Sequence, residues 1–151
     1  MRRTISILAA AAMALAGTLA VSGPASAAPP SLRFHGAQYD SPGKDIRSND
    51  SLNAEWVSLI NSGSKAVDLK GFTIRDASRI YTFGATTIAA NGGRVWLHTG
   101  KGTKSAKNVY WGSGNYVWNN TGDTATLRNA AGKELDGCSW NSQKNRTWVA
   151  C

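Results

Sequence analysis

YWGSGNYVWNNTGDTATL, residues Tyr110–Leu127, is the stretch on which the reading of the fold turns. It gathers Tyr110, Trp111, Tyr116 and Trp118, then bends through Asn119-Asn120-Thr121-Gly122-Asp123 and leaves as the alternating run Thr124-Ala125-Thr126-Leu127. Aromatic residues, a Gly/Asn/Asp corner and a polar–apolar alternation predict two antiparallel strands around a tight turn. The aromatics have two readings, the core of a sandwich with its turn, or a platform for a ligand. The core reading is the favoured one.

Outward from this stretch the chain repeats the same grammar. Leu32–Tyr39 predicts a first strand, with Gly36 as a candidate bulge. Asp40–Asn53 is dense in Pro, Gly, Asn, Asp and Ser and predicts a loop. Glu55–Asn61 is the clearest strand, apolar enough to expect cover on both faces. Ala66–Leu69, Phe72–Arg75, Ile80–Phe83, Thr86–Ile88 and Arg94–Thr99 follow as short strands. Asp76-Ala77-Ser78-Arg79 predicts a hairpin turn between two of them. Asn129-Ala130-Ala131-Gly132 turns the chain into Glu134–Trp140, and Trp148-Val149-Ala150-Cys151 ends the chain. Roughly eight to ten short strands with no amphipathic helical window predict an all-β sandwich or barrel. Its expected core is Trp56, Val57, Leu59, Phe72, Ile74, Phe83, Val95, Leu97 and Leu127, each worth roughly 1.5–3 kcal/mol when buried.

Met1-Arg2-Arg3, the apolar run Ile5–Val21 and Ala25-Ser26-Ala27 predict a secretory signal peptide over 1–27, cleaved after Ala27. The organisation that follows is a short linker at 28–31, a domain at 32–140 and a tail at 141–151. Of 17 basic side chains the leader takes Arg2 and Arg3, which leaves 15 against 9 acidic ones and a formal +6. Such a charge permits attraction to nucleic acid, anionic wall polymers or acidic proteins. Export places Cys138 and Cys151 where disulfides persist. A bridge between them is favoured over free thiols or intermolecular pairing, and would tie down the tail.

Catalytic chemistry finds little support. There are two histidines, His35 and His98, with no G-x-S-x-G motif, no Walker-type loop and no zinc-ligand spacing. No pair of carboxylates is singled out for glycoside hydrolysis. Asp40, Asp45, Asp50 and Glu55 lie in or beside one loop, but without the alternating spacing of a calcium loop. Solvated or salt-bridged carboxylates are the better reading. Gly100–Asn108, GKGTKSAKN, is an exposed basic loop. Lys101, Lys104 and Lys107, with Trp111 and Tyr116, form the candidate polyanion-binding set.

Several segments then match one family in order. They are LNAEWVSLIN at 52–61, VDLKGFTIRD at 67–76, YTF at 81–83, IAANG at 88–92, VYW at 109–111 and VWNNTGDTATL at 117–127. The chain resembles the lamin tail domain in its secreted bacterial form. The resemblance covers about Ser31–Trp140 and implies an immunoglobulin-like β-sandwich that is not catalytic and holds no cofactor. In animal lamins the domain ends a coiled-coil rod and is linked to DNA and protein binding. No rod or nuclear signal accompanies it here, so nuclear roles are not carried across. Trp118, Asn119, Asn120, Gly122 and Asp123 read as a structural motif. The expectation is a secreted or cell-surface monomer. It would have no membrane insertion after cleavage, and would bind an extracellular protein or an anionic polymer.

Overall fold

The computed structural model describes residues 30–142 and 145–151; the expected leader and the first half of the expected linker lie outside these. Eleven strands and one short helix are described. β1 (Leu32–Gln38), β2 (Trp56–Asn61), β7 (Gly93–His98), β8 (Asn108–Tyr110) and β11 (Trp148–Ala150) form a five-stranded sheet in the order β11-β1-β2-β7-β8. β4 (Thr73–Arg75), β5 (Ile80–Thr82), β9 (Gly122–Arg128) and β10 (Glu134–Asn141) form a four-stranded sheet in the order β10-β9-β4-β5. β3 (Val67–Asp68) and β6 (Thr87–Ile88) make a small separate pair. This is an immunoglobulin-like β-sandwich. No described helix is long and apolar enough to cross a membrane.

Alternation along the strands builds the core. Val57 and Leu59 of β2, Val95 and Leu97 of β7, Ile74 of β4 and Ala125 and Leu127 of β9 are all buried. Phe34, Phe83 and Trp118 join them. Two residues expected in this core lie elsewhere. Phe72 is half-buried at its margin. Trp56 is half-buried on the opposite face of β2, because Val57 and Leu59 take the inward positions. Among the described residues no second layer covers that outer face of β2.

The expected hairpin at 73–82 forms, with Ile74 opposite Tyr81. The Asp76 carboxylate accepts the N–H of Ser78 at 2.7 Å and closes the turn. The bulge at Gly36 also forms, as a register shift between Phe34 and Gly36 against β2. A Cβ at Gly36 would lie 2.8 Å from the carbonyl oxygen of Val149, so β11 approaches β1 only because the position is glycine. Ser58, buried opposite the bulge, donates to the Gly36 carbonyl at 3.2 Å.

Two local expectations are corrected. Asp40–Asn53 is not all loop, since α1 (Asn49–Ala54) lies at its end. Ser48 caps this helix by accepting from the N–H of Ser51 at 3.2 Å, and Leu52 anchors it in the interior. Six residues are too few to show a helical period. The stretch 110–127 is not a hairpin. Tyr110 ends β8, which runs parallel to β7, and β9 begins only at Gly122, in the other sheet. Residues 111–121 cross between the sheets; the carbonyls of His98, Gly100 and Thr99 accept the N–H groups of 111–113, and a buried carboxylate holds the backbone of 117 and 118 in place of a strand partner.

The disulfide expected between Cys138 and Cys151 is present, with Cα atoms 5.6 Å apart. It joins β10, an edge of the four-stranded sheet, to the residue after β11, an edge of the five-stranded sheet. Beside it, the N–H of Phe34 donates to the Asp136 carboxylate at 2.7 Å, a second link between the sheets.

Candidate functional site

Glu55 is the carboxylate beneath the crossing. Its side chain is 1% exposed. Oε1 accepts from the Thr99 hydroxyl at 2.5 Å, the N–H of Val117 at 2.8 Å and the N–H of Trp118 at 3.3 Å. Burial pushes its pKa up to about 7, against the pull of those three donors. The group is thus spent on backbone. Around it runs a chain of rings: Tyr39 on Trp140, Trp140 on Trp118, Trp118 on Trp111, Trp111 on Tyr81 and Tyr81 on Phe83, with centroids 5.0–5.9 Å apart.

The corner 118–123 is held by local bonds. Asp123 accepts the N–H of Asn119 at 3.1 Å and that of Thr124 at 2.8 Å. Asn119 offers its carbonyl to the Trp140 indole at 2.9 Å, and Asn120 donates to Asp40 at 2.9 Å. Gly122 has φ +141°, a conformation that side chains rarely adopt.

The candidate polyanion residues fall apart into several settings. The backbone of Lys101 is bound by the side chains of Asn49 and Asn53 on α1. The Lys104 ammonium donates to the carbonyl of Ala85. Lys107 lies at the rim of a shallow depression on the five-stranded sheet. Trp111 is half-buried within the ring chain, and Tyr116 is half-buried with its hydroxyl 2.6 Å from that of Ser51. Of the five, Lys107 alone borders that depression.

That depression belongs to the outer face of the five-stranded sheet, which the strand registers define. One cross-sheet row reads Trp148, Gln38, Trp56, His98, Tyr110. The next reads Ala150, Gly36, Ser58, Trp96, Asn108, and the third holds Arg33, Ile60 and Arg94. Trp56, Trp96, His98, Lys107 and Asn108 line the depression, of about 340 Å³. Trp148 is 54% exposed at the edge. His98 is fixed, with Nδ1 2.8 Å from the Asn53 carbonyl and Nε2 3.0 Å from Asn108 Oδ1. Its ring stacks on Tyr110 at 5.3 Å. His35 is held below its ordinary pKa by burial, then by Arg94 and by Arg33. The charges acting on it are all positive.

Sequence reasoning did not assemble this face. RVWLHT carries its signal, because Arg94, Trp96 and His98 alternate with buried Val95 and Leu97. Reading it as a surface requires the register against β2, which places Trp56 beside His98.

Among the described residues no three His, Cys, Asp or Glu side chains gather as metal ligands. Asp40 is instead bonded to Asn120, with its pKa raised by burial and by Asp45.

No curated protein matches the chain. A sequence-family model described as Lamin Tail Domain matches residues 25–142. That span takes in the four-stranded sheet, four of the five strands of the other sheet and the corner at 118–123. The chain belongs to the lamin tail domain family, whose members are non-catalytic immunoglobulin-like modules.

Proposed function

We propose that the protein is an exported, non-catalytic module that binds an anionic polymer outside the cell or at its surface. The observation that carries this reading is the outer face of the five-stranded sheet. Arg33, Arg94 and Lys107 stand there beside half-buried tryptophans, and no outward residue of its five strands is acidic. The one salt bridge among the described residues, Arg128–Glu134, is on the other sheet. Cations without carboxylate partners favour a polyanion, through release of its counterions. A protein partner is the second reading, favoured by Trp148, an exposed ring on the edge strand β11.

The test is titration with dextran sulfate at several salt concentrations. Affinity is expected to fall steeply with salt, and to fall less steeply in a variant carrying Arg33→Ala, Arg94→Ala and Lys107→Ala. Absence of binding at low salt would remove the polyanion reading and leave the protein partner. No hydrolase or nuclease activity is expected.

A further inference from the structure

We propose that the depression between Trp56 and Trp96 is a base-stacking site for single-stranded nucleic acid, with Lys107, Arg94 and Arg33 receiving its phosphates. This deepens the polyanion reading and rests on it. Trp56 and Trp96 are diagonal neighbours across β2 and β7, roughly 7–8 Å apart along the backbone. Neither belongs to the sandwich core, nor to the side chains packed against it. Their rings are therefore not spent on holding the two sheets together.

The charge pattern says what such rings would receive. A neutral glycan would use the apolar surface but gain nothing from three cations. A sulfated or phosphorylated polymer without rings would use the cations but leave the tryptophans idle. Duplex nucleic acid hides its base faces within its own stack. A single strand offers both unpaired rings and backbone phosphates, the combination that stacking platforms with basic margins accept. Lys107 is at the rim of the depression itself. Arg33 and Arg94 lie in a row one step along the strands, both near enough to His35 to lower its pKa. A strand stacked in the depression can thus extend over that cationic row.

The experiment titrates the oxidised protein with a dT oligonucleotide, the matching duplex and dextran sulfate. The single strand is expected to bind more tightly than the duplex at equal salt. Trp96→Ala should weaken the single strand about ten-fold, within the range for loss of one stacked base. Dextran sulfate binding should stay unchanged in that variant, which also reports that the fold is intact. Trp96→Phe should recover most of the loss. Arg94→Ala should reduce the salt slope on the single strand by about 0.7, one phosphate contact. If duplex, dextran sulfate and single strand bind alike and Trp96→Ala matches the parent, the stacking site is overturned while the polyanion reading stands. No binding of any of the three polyanions at low salt would overturn both.

Discussion

Glu55 Oε1 accepts the backbone N–H of Val117 at 2.8 Å across 62 positions of sequence. The same oxygen serves Trp118 and Thr99, so one carboxylate satisfies donors that the chain leaves unpaired as it passes between sheets. The arrangement fixes Trp118 in the ring chain, which explains why the crossing is ordered without being a strand.

Glu55 should make stability depend on pH. Its folded pKa is about 7, above the ordinary 4.5. The protonated group is therefore favoured in the folded state, so its contribution is complete below pH 4.5 and is lost as pH rises through 7. The loss on full ionisation is about 3 kcal/mol, since each tenfold change in proton affinity corresponds to about 1.4 kcal/mol. Glu55→Gln keeps a neutral acceptor for the same donors. Denaturant melts at about pH 4 and about pH 8, on either side of this window, should show the variant gaining on the parent at the higher pH. An equal difference at both values would show that Glu55 does not titrate between them.

Trp118→Ala should destabilise the protein by roughly 3–5 kcal/mol, the range for a large aromatic removed from a core. Trp118 is 2% exposed and touches the rings of Trp111 and Trp140. Urea unfolding checks this, and a variant of parental stability would contradict the ring chain as a structural unit.

Reduction of Cys138–Cys151 should cost roughly 3 kcal/mol, the chain-entropy value for a loop of about this length. The loss should appear first as fast amide exchange in β11. Secreted material should begin at Ala28 and yield no alkylated thiol before reduction. Mass spectrometry reads both points; a retained leader or two free thiols would overturn export with oxidation.

The three loop lysines should not be equivalent in polyanion binding. Lys101→Ala with Lys104→Ala should change affinity little, because neither residue lines the depression on the outer face. Lys107→Ala should weaken binding and lower the salt slope by about 0.7–0.9, one phosphate contact. Fluorescence titration separates them. A larger effect from the Lys101 and Lys104 pair would move the site to the loop.

Periodicity was legible wherever one side of a strand is buried. Val95 and Leu97, Ala125 and Leu127, and the Asp76 turn all followed from alternation and turn chemistry. Gly36 was legible as a bulge because glycine inside a strand marks a close approach. Trp56 was misplaced because a strand as apolar as WVSLIN does not say which side faces the core. Glu55, read with the loop carboxylates as solvated or salt-bridged, is instead buried and hydrogen-bonded, a role that exists only once residues 117 and 118 arrive from far along the chain. The corner misled for a related reason. Asn, Gly and Asp announce a turn, but not whether the chain turns within one sheet or between two. The outer aromatic face needed register, which no single strand contains.

The bridge at the sandwich edge has a mechanical consequence. β11 has three residues and pairs with β1 alone, so by itself it would peel away under tension applied at Cys151. The sulfur link diverts that tension into β10, eight residues long and paired along β9. Load then meets a long ladder instead of a short one. A tether at residue 151 should yield at low force when reduced, and resist until the four-stranded sheet gives way when oxidised.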